Sequence, residues 1–172
     1  SGRRRSGTVM TVGPTTLIEV PRKAMLRLMA NEPAIKHVVD ETFIMRALQT
    51  NLLKDLDDET AQELAHKAKI QSFKKDDVIV KQGETGDAFY VIRSGAVKVS
   101  RREGDKETVV RYLPAGKYFG EIALLDRKSQ ARTATVTATC RTEVIKLMKE
   151  DFWTLLRHHP EFEQHLRENI HS

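Results

Sequence analysis

Residues 83–99 read Gly83-Glu84-Thr85-Gly86-Asp87-Ala88-Phe89-Tyr90-Val91-Ile92-Arg93-Ser94-Gly95-Ala96-Val97-Lys98-Val99. Short apolar runs punctuated by glycine are the signature of strands joined by tight turns. In Ala96-Val97-Lys98-Val99-Ser100 the residues alternate, with both valines on one face. The same texture extends over 70–148. Runs rich in Val, Ile, Phe and Tyr recur at Val78–Gln82, Ala88–Arg93, Ala96–Arg101, Thr108–Leu113, Thr133–Thr139 and Glu143–Leu147. Six of the nine glycines lie between 83 and 120, where they would serve the turns. Ser94-Gly95 and Gly104-Asp105 are hairpin-type dipeptides. Many short strands with glycine turns predict a β-barrel or a double-sheet jelly roll.

Helices flank this block. Residues 38–53 place Val39, Phe43, Ile44, Ala47, Leu48 and Leu52 on one stripe. Residues 58–68 follow Asp57-Asp58, a capping signal, and carry Ala61, Leu64, Ala65 and Ala68. Residues 149–157 carry Phe152, Trp153, Leu155 and Leu156 up to Pro160, which stops or kinks a helix. A last short helix would carry Phe162, Leu166 and Ile170. These stripes read as packing surfaces.

The 172 residues suffice for one domain and an appendage. With 40% of residues in the hydrophobic set and 31% charged, the composition is that of a soluble globular chain. No apolar run approaches the roughly 18 residues of a membrane span. No charged-apolar-small leader opens the sequence. Cys140 is the single cysteine, so neither an intrachain disulfide nor a four-cysteine metal site can form. A reducing, cytoplasmic setting is expected. The net charge of +5 is unevenly placed. Residues 1–30 hold Arg3, Arg4, Arg5, Arg22, Lys23 and Arg27 against Glu19, and residues 31–172 hold 23 charges of each sign. The basic balance therefore belongs to the N-terminal end and argues little for nucleic-acid binding by the body.

An internal repeat underlies that end. Shifted by 127, residues 5–39 fall on 132–166 without a gap. Arg5/Arg132, Thr8/Thr135, Val9/Val136, Thr15/Thr142, Ile18/Ile145, Leu28/Leu155 and Pro33/Pro160 are identical. Ser6/Thr133, Gly7/Ala134, Leu17/Val144 and Arg22/Lys149 are conservative.

The chemistry concentrates in Tyr118-Phe119-Gly120-Glu121-Ile122-Ala123-Leu124-Leu125, followed by Ala131-Arg132-Thr133-Ala134. Gly120 lets a ligand approach the backbone. Ile122–Leu125 can form one helical turn whose free N–H groups face an anion. Arg132 offers a planar fork for phosphate oxygens. Glu121 suits a sugar hydroxyl and is a poor neighbour for phosphate. Anion-binding and hydroxyl-binding groups side by side fit a sugar phosphate.

The pattern Phe119-Gly120-Glu121-Ile122-Ala123-Leu124, seven residues, then Arg132-Thr133-Ala134 resembles the phosphate-binding cassette of cyclic nucleotide-binding domains. These occur in the catabolite activator protein, in regulatory subunits of cyclic-nucleotide-dependent kinases and in gated channels. The glycine-punctuated run at 83–99 resembles the family's barrel strands. The resemblance covers about 58–160 and implies an eight-stranded antiparallel jelly-roll β-barrel, mainly β, with an N-terminal helical segment and C-terminal helices. It implies that Glu121 accepts the ribose 2′-hydroxyl and that the Gly120 backbone lies against the ribose. The N–H groups of Ala123 and Leu124, next to Ile122, would bind the cyclic phosphate, and Arg132 would pair with its charge. Thr133, beside Ala134, would reach the phosphate or the base. No cofactor is implied; the ligand would be cAMP, placed slightly ahead of cGMP. The loop between Glu121 and Arg132 is longer than usual in the family, and Ala131 stands where a proline is common. Residues 126–131 should bulge outward as a polar loop.

The resemblance also gives the repeat a meaning. Residues 1–37 would be the C-terminal remnant of a preceding copy, with 1–20 as its last strands and Arg5 at its phosphate position. Residues 38–57 would form a linker helix, 58–160 the complete domain and 161–172 a C-terminal helix. Other classes fit less well. A cupin-type metal enzyme needs interior ligands, yet His37, His66, His158, His159, His165 and His171 all lie outside 70–148. Cys140 has no histidine near it in sequence to activate it. Twelve residues follow Pro160, too few for the helix-turn-helix of the catabolite activator relatives. The expectation is a sensor that binds and does not catalyse, with Phe162 or Leu166 as candidates to cover the base. Its effector is open, and neither membrane nor nucleic acid is an expected partner. The alternatives are a non-binding interaction module of the same fold and part of a DNA-binding regulator.

Overall fold

The computed structural model of the chain describes residues 8–51, 56–126 and 129–170. Arg5, Ser6 and Gly7, the ends of the expected helix at 52–53, and the loop residues 127–128 lie outside them. The chain divides into two units, 1–36 and 37–172.

In the first unit, residues 8–20 carry no regular secondary structure, and Val9, Val12 and Ile18 are exposed. A strand needs a neighbour to take its backbone N–H and C=O groups, and among the described residues none pairs with this segment. Helix α1 follows at Arg22–Asn31 and buries no residue.

Among the described residues the second unit holds eight strands in two four-stranded antiparallel sheets: β1 (Lys69–Phe73), β2 (Val78–Val80), β3 (Ala88–Ser94), β4 (Ala96–Glu103), β5 (Lys106–Pro114), β6 (Tyr118–Phe119), β7 (Thr135–Ala138) and β8 (Thr142–Met148). One sheet runs β1-β8-β3-β6 and the other β2-β7-β4-β5. The chain passes repeatedly between them, giving the jelly roll expected of the sequence. Helices α2 (Pro33–Asn51) and α3 (Asp58–Lys67) precede the strands. The single turn α4 (Glu121–Leu125) interrupts them, and α5 (Lys149–His158) and α6 (Pro160–Ile170) follow. Among the described residues no helix is long and apolar enough to cross a membrane.

Burial explains why Ala88–Ile92 is apolar without alternation. Side chains of a strand point to opposite faces in turn. Ala88, Tyr90 and Ile92 face the second sheet, in a core with Val80, Val97, Phe119, Val136 and Val144. Phe89 and Val91 face the other way, into a core with Leu124, Ile145, Phe152, Leu155 and Phe162 that reaches the helices. The first sheet is thus covered on both sides, while β5 is a nearly fully exposed edge strand.

The two turn dipeptides do different work. Gly104-Asp105 closes a two-residue hairpin between Glu103 and Lys106, with Gly104 at φ +61°. Ser94-Gly95 is not a hairpin, because β3 and β4 belong to different sheets. Gly95 sits at φ +85°, where a Cβ would lie 2.6 Å from the Arg141 carbonyl oxygen and 2.5 Å from Thr142 Oγ1. It turns the corner from one sheet to the other. The Asp57 carboxylate accepts from the Thr60 N–H at 2.9 Å and caps α3, as its sequence indicates. Pro160 is the first residue of α6, where its missing N–H costs nothing.

Helix boundaries obey the 127-residue shift. α1 at 22–31 falls on α5 at 149–158, and α2 and α6 both open on a proline, Pro33 and Pro160. The joints match in their hydrogen bonds: Glu32 N–H to Leu28 O and Ile35 N–H to Glu32 O in one, His159 N–H to Leu155 O and Phe162 N–H to His159 O in the other.

Candidate functional site

Gly120 ends β6 at φ +93° and caps α4. That left-handed conformation favours glycine, and a Cβ there would also sit 2.8 Å from Arg132 Nη1 and 3.0 Å from the Ala88 carbonyl oxygen. The chain then winds through one helical turn whose first N–H groups have no partner within the helix. Ala123 and Leu124 are buried and anchor the turn to the core.

Arg132 is the principal buried cation. Only 4% of it is exposed. Its Nη1 donates to Gly120 O at 3.0 Å, and its Nη2 donates to Ala88 O at 2.8 Å and to Asp87 Oδ1 at 3.4 Å. The backbone around it is fixed as well, since its N–H donates to Glu84 O and its carbonyl accepts from Gly83 N–H. The guanidinium lies 5.6 Å from the Tyr90 ring centroid. Three of five N–H hydrogens are engaged, and Nε–H and one Nη1 hydrogen have no acceptor among the described residues. Asp87 also meets Lys146 at 3.2 Å, so it serves two cations and is itself half exposed.

One cavity collects these groups. It is lined by Gly120, Glu121, Ile122, Ala123, Arg132, Thr133 and Ala134 together with Val80, Val99, Arg101, Val110, Arg111, Leu113, Tyr118, Phe119 and Val136. Seven of the eight residues predicted from sequence therefore share it. Leu124 does not line it, because its side chain points into the core. Thr133 is exposed. Phe162 and Leu166 do not line the cavity either. Both are buried in the helix-side core, and Phe162 packs edge-on against Tyr118 at 6.3 Å.

Glu121 has one carboxylate oxygen, Oε2, that is buried and accepts no hydrogen bond. Burial pushes its carboxyl above the ordinary carboxylate range, while its own N–H, Arg111 and Arg132 pull the other way. An unsatisfied buried acceptor awaits a donor such as a hydroxyl. The raised value means that the native state holds its proton more tightly than the unfolded chain. Glu121 thus contributes stability that is full below the ordinary value of 4.5 and is lost as pH rises through the raised one. Glu121→Gln should accordingly raise the melting temperature of the free protein at neutral pH and flatten its pH dependence. It should also weaken the binding of a sugar phosphate whose hydroxyl it accepts roughly ten- to a hundredfold, the worth of a hydrogen bond to a charged acceptor. Melting scans between pH 4 and 8, paired with calorimetric titration, read both effects.

The sequence reading missed the wall supplied by the second sheet, Val80, Val99, Val110 and Leu113, and the partner Asp87. Asp87 lies in the quoted 83–99 stretch, but nothing in its local pattern points to an arginine 45 residues away. The loop after α4 is held at its base. Gly86 N–H donates to Gln130 O, Thr85 bridges Ala131, and Gln130 takes φ +50°.

The family model for the cyclic nucleotide-binding domain matches residues 70–159. A cAMP-dependent protein kinase regulatory subunit from Mucor circinelloides is 32% identical over 152 residues, covering 88% of this chain and 34% of the relative. The chain spans about a third of the length of that curated relative. A solved structure of cAMP-bound PfPKA-R is 30% identical with a TM-score of 0.65, covering 87% of this chain and 49% of that one. The catabolite activator protein of Thermus thermophilus is 29% identical with a TM-score of 0.61, covering 70% and 56%.

Proposed function

The chain belongs to the cyclic nucleotide-binding domain family, and from that membership we propose that it is a regulatory sensor of cAMP, with cGMP second, that binds its ligand without transforming it. The observation that carries this is the pairing, in one cavity, of the buried and unpartnered Glu121 Oε2 with the α4 turn and the Arg132 guanidinium. A hydroxyl donor and an anion are wanted side by side. A cyclic nucleotide presents both on one ribose: the 2′-hydroxyl to Glu121 and the cyclic phosphate to Arg132 and the N–H groups of Ala123 and Leu124. The exposed Thr133 at the cavity is compatible with either base, and the cAMP-bound relative favours cAMP.

Occupancy would be passed on through Tyr118, which lines the cavity and touches Phe162 of α6. Drawing the α4 turn onto the phosphate repacks this contact and shifts α6. The kinase regulatory subunits among the relatives support a protein kinase as effector. The coincidence of α1 with α5 and the matched joints support residues 1–37 as the end of a preceding copy of the same domain.

Thermal unfolding with saturating cAMP, cGMP or neither is the test. At a hundred times its Kd a ligand should stabilise the fold by about 2.7 kcal/mol. Stabilisation by cAMP at lower concentration than cGMP is expected. No shift with either nucleotide would overturn the sensor function in favour of a non-binding module.

A further inference from the structure

The histidines kept out of the barrel gather elsewhere. His37 and Glu41 stand one turn apart on α2, and His66 stands in the last turn of α3. Glu41 Oε1 lies 3.1 Å from His37 Nε2 and 2.7 Å from His66 Nδ1. The two imidazole rings meet edge to face with centroids 5.5 Å apart. One ligand atom from each residue lies within 4.8 Å of the other two. We propose that His37, Glu41 and His66 form a divalent transition-metal site of the zinc class that staples α2 to α3.

The chemistry favours a metal over a simple ion pair. Both imidazoles converge on the same carboxylate oxygen. A divalent cation would take a lone pair from each ring and the charge of the carboxylate, and two imidazoles with one carboxylate suit zinc, nickel or copper. Zn–N and Zn–O bonds near 2.1 Å place tetrahedral donor atoms about 3.4 Å apart. The His37–Glu41 separation of 3.1 Å is about 0.3 Å short of this value, and the His66–Glu41 separation of 2.7 Å needs to open by about 0.7 Å. His37 and His66 are exposed enough, with 57% and 72% of their side chains accessible, to turn into place and to admit an ion from solvent. A fourth position would be left to water or another small ligand. Such a site acts on the two helices that precede the strands, and it shares no residue with the nucleotide cavity.

Calorimetric titration of the full chain with Zn²⁺ at pH 7.5 tests this, together with the visible spectrum of the Co²⁺-loaded protein. One equivalent should bind, with the intense bands of low-coordinate cobalt. His37→Gln and His66→Gln should each weaken binding at least tenfold, and the double variant should lose it, while cAMP response and far-ultraviolet dichroism stay unchanged. Cys140→Ser and His158→Gln should bind as the parent does. Absence of a saturable equivalent, unchanged affinity in His66→Gln, or loss of binding in either control would overturn the site. Because cAMP response is read separately, failure here and failure of the sensor function are distinguishable.

Discussion

Arg132→Ala is expected to weaken cAMP binding by roughly thirtyfold to a few thousandfold, corresponding to about 2–5 kcal/mol for truncating one partner of a buried, hydrogen-bonded charge pair. The guanidinium is 4% exposed, so little water stands ready to replace it opposite a phosphate. It is also preorganised, because Gly120 O and Ala88 O hold its two terminal nitrogens before any ligand arrives. Arg132→Lys keeps the charge but not the planar fork and should fall between the two. The variants need one control. Losing the arginine strands two backbone carbonyls, so the free protein should also melt earlier, and affinity must be measured well below that temperature. An Arg132→Ala affinity within threefold of the parent would mean that the phosphate sits elsewhere.

Phe152→Ala should destabilise the fold by about 3–5 kcal/mol, a large share of the 5–15 kcal/mol typical of a domain. Phe152 is fully buried. It stacks on Phe89 at 4.8 Å and meets Trp153 edge-on at 6.2 Å, so it joins α5 to the centre of the first sheet. Truncation leaves a cavity that rings on both sides cannot collapse into. Urea unfolding followed by tryptophan fluorescence gives the midpoint. Tyr112→Ala, on the exposed edge strand β5, should change stability by no more than about 0.5 kcal/mol. A Phe152→Ala loss below about 1 kcal/mol would show that α5 is not docked through this residue.

Much of the second unit was legible in the chain. The six apolar runs of 70–148 all contain strands, and β3 and β8 keep their predicted places within one or two residues. The single turn after Gly120 forms at Glu121–Leu125, one residue earlier than the spacing suggests. β7 is shorter than Thr133–Thr139, because Thr133 and Ala134 are taken up by the cavity instead of a ladder. β1 escaped notice, since Lys69–Phe73 mixes charge and polarity on a strand that has only β8 beside it. At the site, local chemistry named the turn, the carboxylate and the arginine. It could not name Val80, Val99, Val110 or Leu113, which look like any other strand residues until the second sheet folds across.

What the sequence determined by itself is what short-range physics can encode. Glycines at turns, strand-length apolar runs, a capping aspartate and the Gly120–Arg132 cassette each act within a few residues, and together they pointed to the jelly roll and its family. The tertiary structure alone decided which charges meet. Arg132 finds Gly120 and Ala88 carbonyls and Asp87 across 12 to 45 residues of chain. His37 and Glu41 on α2 find His66 on α3. It also decided that Phe162 and Leu166 are buried in the core shared by the helices and the first sheet. Such contacts depend on how two sheets and the helices that follow them stack, and stacking is set by the summed packing of a core, which no single stretch of sequence contains.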